Sequence, residues 1–146
     1  MKLKNLIDCN KTLGDLEITG ITCDSRCVKE GYAFVCIKGA LSDGHDYAAK
    51  ALEQGAAVVI AENDLGLENQ IVVDNTHKEF AILSAKWFGN PSKKLKLIGV
   101  TGTNGKTSTT YMIKQVLETL GHKVGLIGTI QNMIGDEVIP TSNTTP

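Results

Sequence analysis

A glycine-rich loop between an apolar segment and an amphipathic segment constrains the fold of this chain most. The loop, VTGTNGKTSTT at 100–110, overlaps the end of an apolar run at 95–101. It leads into 106–121, where apolar residues recur at helical spacing, and a second apolar run follows at 123–130. Strand, loop, helix and strand in this order predict a βαβ unit, because parallel strands need a long crossover connection.

The loop has the composition of a phosphate-binding site. Gly102 and Gly105 let the backbone approach an anion, and the first N–H groups of the following helix lack intrahelical acceptors. Lys106 can reach terminal phosphate oxygens, and the Thr107 hydroxyl can hold Mg²⁺. The general phosphate-loop pattern has a glycine where this chain has Val100. The alternative interpretation is a Gly/Asn turn followed by a chance Lys-Thr pair.

The residues before 95 predict a separate small α/β domain. Short apolar runs indicate strands at 16–21, 32–37, 56–61 and 70–74, and the pattern at 47–55 indicates a helix. Thr76 and Glu79 predict a capping box that opens another helix, which extends to about Phe88. The hexamer GNPSKK at 89–94 has linker composition. Domains are therefore expected at 1–90 and 95–146.

Composition narrows the class of protein. The chain has 146 residues, 42% hydrophobic and 21% charged, with a formal net charge of −1, as is typical of a globular protein. Basic residues do not cluster beyond Lys93-Lys94, which disfavours nucleic-acid binding. No apolar run suits a signal peptide or a membrane span, so a cytoplasmic protein without a membrane partner is expected. Cys23 and Cys27 lack a second ligand pair, so reduced, partly buried thiols are favoured over zinc.

The loop sequence VTGTNGKTST resembles the ATP-binding loop of the Mur ligase superfamily, which has the same shifted glycine. The resemblance implies ATP and Mg²⁺ as cofactors and an amide bond formed through an acyl phosphate. It also implies that Lys106 is catalytic and that Thr107 is the Mg²⁺ ligand. The implied ATP contacts are Gly102, Thr103, Asn104, Gly105, Lys106, Thr107 and Ser108.

The segment 23–62 resembles the N-terminal uridine-nucleotide domain that two types of this family share. Of these, the MurE type adds the third residue to UDP-N-acetylmuramoyl peptides, and the MurF type adds the terminal dipeptide. The Asn-Thr-Thr-Pro sequence at 143–146 is similar to the MurE type. The implied substrate contacts are Cys23, Ser25, Arg26, Ala40, Leu41, Ser42, Asn143, Thr144 and Thr145.

Structural roles remain open for several of these residues. Arg26 is either a bidentate phosphate ligand or the partner of a carboxylate, and Ser25 either contacts the nucleotide or caps a backbone group. The SDGH sequence at 42–45 is either part of the site or the start of a helix capped by Asp43 or Asp46. His45 is interpreted as a hydrogen-bonded loop histidine and not as a catalytic base.

The expected fold class is α/β, with a small mixed α/β uridine-nucleotide-binding domain followed by the opening βαβ unit of a phosphate-loop central domain. The resemblance implies an ATP-dependent ligase of peptidoglycan precursor synthesis that adds diaminopimelate or lysine to UDP-N-acetylmuramoyl-L-alanyl-D-glutamate. It covers only the opening part of such an enzyme, so this fragment is expected to be inactive alone, without the domain that binds the acceptor amino acid. Three alternatives remain: the dipeptide-adding ligase, a non-catalytic uridine-nucleotide-binding module and an unrelated phosphate-loop NTPase.

Overall fold

The chain divides into two compact units, Met1–Lys96 and Leu97–Pro146. The structure is a computed structural model that describes residues 1–40 and 42–140. Four predicted substrate contacts lie outside the described residues, namely Leu41, Asn143, Thr144 and Thr145. Within the described ranges, no helix has both the length and the apolar character needed to cross a membrane.

The first unit is a parallel sheet with short helices around it. Its strands lie side by side in chain order: β1 (Gly20–Thr22), β2 (Tyr32–Val35), β3 (Val58–Ala61) and β4 (Gln70–Val72). Each neighbouring pair of strands is parallel. The helices are α1 (Lys11–Gly14), α2 (Ala48–Glu53) and α3 (Thr76–Trp87). The predicted α/β class is confirmed.

The two central strands are buried on both faces of the sheet. Successive side chains of a strand point to opposite faces, so alternate residues of β2 and β3 belong to two separate core clusters. One cluster contains Leu83 of α3 together with Ala33, Val35, Val58 and Ile60. The other contains Ala48 and Ala51 of α2 together with Phe34, Cys36, Val59 and Ala61. Helices α2 and α3 therefore pack on opposite faces of the sheet.

The capping box predicted at Thr76 and Glu79 is wrong. Asn75 is the N-cap of α3, and its side-chain oxygen accepts from the Lys78 N–H at 2.7 Å. The N–H and the hydroxyl of Thr76 instead donate to Glu62 Oε1, at 2.9 and 3.0 Å. Thr76 is fully buried, and the carboxylate that satisfies it lies 14 residues earlier in the chain. A local capping pattern contains no information about such a distant acceptor.

The second unit contains one long helix and a small antiparallel sheet. Helix α4 spans Lys106–Thr119, and the strands are β5 (Gly125–Leu126), β6 (Asn132–Ile134) and β7 (Glu137–Ile139). β6 pairs with both β5 and β7. The β6–β7 hairpin was not among the sequence-based predictions, although Gly-Asp between alternating residues is its usual signal.

The strand predicted at 95–101 does not form. Leu95 has an extended backbone, with φ −114° and ψ 151°, but no described residue pairs with 95–101 in a sheet. A strand needs hydrogen-bonding partners along its edge, which an apolar sequence alone does not supply. Leu97 and Ile98 are exposed as a result. The predicted parallel pairing of this unit is not observed among residues 97–140, where β5 pairs with β6.

We expect Leu83→Ala to destabilise the first unit by about 2–5 kcal/mol, because Leu83 is fully buried and its removal leaves a cavity. The measurement is urea unfolding followed by the fluorescence of Trp87, the single tryptophan, which packs against the same cluster. Ile82→Ala on the same helix is the matched control, since Ile82 is 36% exposed. Equal losses for the two variants would contradict the packing described for α3.

Candidate functional site

A groove of about 530 Å³ lies beyond the carboxyl ends of β1 and β2. Parallel sheets commonly bind ligands at this position, because the loops that follow their strands converge there. The groove brings together four of the predicted substrate contacts: Cys23, Ser25, Arg26 and Ser42. Ala40 is exposed and does not line it. Six further residues line it: Asp24, Phe34, Ile37, Gly44, Tyr47 and Lys50. Of these, only Gly44 belongs to a segment, 42–45, for which a place in the site was left open from the sequence.

Asp24 shapes the turn that follows β1. The Asp24 N–H donates to the Thr22 hydroxyl at 3.1 Å, and the Asp24 carboxylate accepts from the Arg26 N–H at 2.9 Å. Asp24 is therefore the N-cap of the short 3-10 turn Ser25–Cys27. The capping role considered for Ser25 belongs to its neighbour. Whether the Ser25 hydroxyl contacts a nucleotide stays a prediction.

Arg26 forms a bidentate ion pair with Asp24. Its Nε donates to Asp24 Oδ1 at 2.9 Å, and its Nη2 donates to Oδ2 at 2.6 Å. The guanidinium bonds, and then the Arg26 N–H, lower the pKa of Asp24 to about 2. The carboxylate partner considered for Arg26 is thus present, and the pair is neutral overall at pH 7. The Arg26 side chain is 86% exposed, so the pair adds little stability.

The loop between β2 and α2 closes on itself beside the groove. The Gly39 N–H donates to the Ser42 carbonyl, and the Gly44 N–H donates to the Ile37 carbonyl, both at 2.9 Å. A Cβ on Gly44 would lie 2.6 Å from the Ile37 nitrogen, so only glycine permits this approach. These bonds hold Ser42 in the lining of the groove.

His45 joins this loop to the carboxyl end of β3. Its Nδ1 lies 2.5 Å from Asp43 Oδ1, and its Nε2 accepts from the Glu62 N–H at 3.0 Å. These contacts place the ring proton on Nδ1. The prediction of a hydrogen-bonded loop histidine is confirmed, and so is capping by Asp43, whose carboxylate accepts from the His45 N–H. The two hydrogen bonds from His45 lower the pKa of Asp43, with the backbone bond as the larger cause.

The cysteines have different environments. Cys36 is buried, and burial raises the pKa of its thiol to about 12. Cys23 and Cys27 are exposed, which corrects the expectation that the thiols are partly buried. The pKa of Cys23 is also raised, mainly by desolvation.

In the second unit, the glycine loop leads directly into α4. Gly105 precedes the helix with φ 76°, a left-handed conformation, and nothing lies within 4 Å of an added Cβ. Backbone conformation and not crowding therefore favours glycine there. The bond from Thr109 N–H to the Gly105 carbonyl is 2.9 Å long. The N–H groups of Lys106, Thr107 and Ser108 precede this bond and have no intrahelical acceptor, which suits an anion.

Lys106 folds back over the glycine loop. Its Nζ donates to the Gly102 carbonyl at 2.5 Å and lies 3.5 Å from the Thr103 carbonyl. Both acceptors are neutral, and none of the ion pairs among residues 1–40 and 42–140 includes Lys106. Asn104 is exposed in the loop. No described residues form a group of three or more His, Cys, Asp or Glu able to hold a metal. Thr107 lies in the first turn of α4. A single hydroxyl there is compatible with Mg²⁺, which usually keeps waters and phosphate oxygens as its other ligands.

A second groove, of about 450 Å³, lies along α4. Its polar part contains the ion pair Lys114–Glu118, whose Nζ–Oε2 distance is 2.6 Å. Only Ser108 of its lining was a predicted site residue; the others are Tyr111, Met112, Lys114, Gln115, Glu118 and Met133. An i,i+4 ion pair is a common way to stabilise a helix.

Comparisons with known proteins cover both units. The family model "Mur ligase family, catalytic domain" matches residues 17–93, and "Mur ligase middle domain" matches 100–146. One curated relative, from Clostridium acetobutylicum, is named UDP-N-acetylmuramoyl-L-alanyl-D-glutamate--2,6-diaminopimelate ligase 1. It is 50% identical over 154 aligned residues, which cover 100% of this chain and 32% of the relative. The chain thus spans about a third of the length of that relative.

Solved structures agree on the fold. A structure of a UDP-N-acetylmuramoyl-L-alanyl-D-glutamate--2,6-diaminopimelate ligase has a TM-score of 0.78, covering 96% of this chain and 30% of its own. At 24% identity this likeness shows the fold alone. The MurF ligase from Thermotoga maritima in complex with ADP has a TM-score of 0.51 at 30% identity, covering 71% of this chain and 24% of its own.

We expect Arg26→Met to raise the pKa of Asp24 from about 2 toward its ordinary value of 3.8. Because the folded-state pKa is depressed, the stabilising contribution of the pair is present above pH 3.8 and lost as pH falls toward 2. Carboxyl-carbon NMR titration measures the pKa directly. Asp64 is the internal control, since its pKa is lowered by Gly66 and Gln70. An unchanged Asp24 pKa would contradict the ion pair.

Proposed function

This chain belongs to the Mur ligase family, and on that premise we propose that it supplies the substrate groove and the ATP loop of an amide-forming ligase. The proposed substrate is UDP-N-acetylmuramoyl-L-alanyl-D-glutamate, and the added residue is diaminopimelate or lysine. Residues 1–90 form the substrate domain in this proposal, and 95–146 begin the central ATP-binding domain. The observation that carries this proposal is the groove of the first unit. Relatives that are 45–51% identical to this chain have the name of such a ligase.

The groove has features that suit a uridine nucleotide. Phe34 and Ile37 contribute to its apolar lining, and Tyr47 is 40% exposed there. A flat pyrimidine base packs well on apolar and aromatic surface, and its polar edge needs hydrogen-bond partners. Ser25 and Ser42 offer hydroxyls in the same groove. These properties support uridine binding on the first unit.

The loop before α4 suits the phosphates of ATP. The N–H groups of the first helical turn would bind phosphate oxygens, and Lys106 would place a positive charge beside the transferred phosphoryl group. The phosphoryl group would pass to the substrate carboxylate, and the amine would then displace phosphate. Thr107 would hold Mg²⁺, which supplies further charge neutralisation. In this proposal, residues 102–108 make the contacts with ATP.

The contacts of 143–145 with the muramoyl peptide rest on the sequence resemblance alone. Leu41 is assigned to the substrate loop on the same ground. The exposed Ala40 is retained as a contact of that loop, although it does not line the groove.

We expect this chain to bind UDP and UDP-N-acetylmuramoyl-L-alanyl-D-glutamate, with NMR amide shifts concentrated at Cys23, Ser25, Gly39 and Ser42. Ser25→Ala should weaken UDP binding about 3- to 10-fold, the cost of one lost hydrogen bond. The exposed Ser92→Ala is the matched control and should leave the Kd unchanged. Absence of any perturbation near Ser25 and Ser42 would refute the substrate-domain proposal.

Lys106→Met is expected to lower kcat about 100-fold or more in a protein of the relatives' length that contains this chain, because a charge beside the transferred group is lost. The assay is phosphate release from Mg-ATP that requires the UDP-muramoyl dipeptide and diaminopimelate. Lys123→Met, at an exposed lysine of the same unit, is the control. A parallel assay supplies free lysine in place of diaminopimelate as the amino acid to be added. A requirement for UDP-muramoyl tripeptide and D-alanyl-D-alanine would instead identify the dipeptide-adding type.

A further inference from the structure

The groove of the first unit contains one positive charge that is not neutralised by a neighbour. Three charged residues line it: Asp24, Arg26 and Lys50. Asp24 and Arg26 neutralise each other through the bidentate contact. Lys50 is exposed on α2 and takes part in none of the ion pairs found among residues 1–40 and 42–140. The net charge of the described lining is therefore +1, and Lys50 carries it.

Lys50 stands on a well-supported helix. Its neighbours Ala48 and Ala51 are 2% and 0% exposed and pack on the sheet in the same cluster as Phe34, which lines the groove. The turn that leads into the helix is capped by Asp43. The backbone at position 50 is therefore held beside the groove, while the flexible lysine stem lets the ammonium adapt to a ligand.

Arg26 is poorly suited to take a phosphate. Its Nε and Nη2 already donate to the Asp24 carboxylate, so only the Nη1 side of the guanidinium is left for a second anion. The carboxylate stays beside the guanidinium and offsets its charge. It is ionised near neutral pH, because even the ordinary pKa of 3.8 lies far below 7. Repulsion between this carboxylate and a phosphate would then oppose binding.

We propose that Lys50, and not Arg26, is the residue that binds the diphosphate of the uridine nucleotide. This inference rests on the proposed function of the groove. Arg26 then acts as a positioning residue, because it holds Asp24 as the cap of the turn that presents Cys23 and Ser25. A diphosphate carries more than one negative charge, so it is bound best by a cation that has no other ion-pair partner.

The test compares UDP with uridine, two ligands that differ only in the diphosphate. Calorimetric titration of this chain at low ionic strength should show that Lys50→Met weakens UDP binding about tenfold or more, whereas uridine binding changes less than about twofold. Lys50→Arg should restore UDP binding, because it restores the charge. Lys78→Met, on α3 at the opposite face of the sheet, is the matched control and should bind both ligands normally.

The other outcomes separate the two proposals. Loss of UDP binding in Arg26→Met, with Lys50→Met unchanged, would overturn the assignment and make Arg26 the phosphate ligand. Equal losses for UDP and uridine in Lys50→Met would also overturn it, since the diphosphate would then not be the group recognised. A wild-type chain that binds neither ligand would refute the proposed function itself. Thermal melting of each variant checks that the fold is retained, and Lys50→Gln replaces Lys50→Met if Lys50→Met fails to fold.

Discussion

Burial of β2 and β3 on both faces is the constraint on which the first unit depends. Because alternate residues of each strand enter opposite core clusters, the strands require cover on both sides, which α2 and α3 provide. Parallel strands also end at one common edge, so the segments that leave β1, β2 and β3 converge there. The groove is a direct result of this arrangement: one wall follows β1, the loop after β2 forms another, and α2 lies beside them.

The fold was predictable where a local pattern is sufficient. Continuous apolar runs at 32–37 and 56–61 contain β2 and β3, because strands buried on both faces lose the usual polar alternation. Prediction failed where the local structure depends on a partner that is distant in the sequence. Thr76 is satisfied by Glu62 and so does not cap its own helix. The apolar run at 95–101 has strand-like composition but no partner in the described chain, whereas β5 and β6 pair with each other.

The candidate site was predictable to a similar extent. The family resemblance drew attention to Cys23, Ser25 and Ser42, and the parallel sheet brings these residues to one groove. Lys50 lay inside a correctly predicted helix, but the side of a short helix that faces a groove depends on how the helix packs. The role of Arg26 could not be decided from the sequence, because its carboxylate partner and a phosphate make the same demands on a guanidinium.

Glu62, which directly follows β3, forms hydrogen bonds with two different parts of the first unit. Its N–H holds His45, which belongs to the segment leading into α2, while its carboxylate holds Thr76 at the start of α3. One residue thus fastens elements that cover opposite faces of the sheet. The loop beside the groove is thus tied through His45 to the same residue that anchors the start of α3. Local opening of the chain at Glu62 would therefore release both segments together.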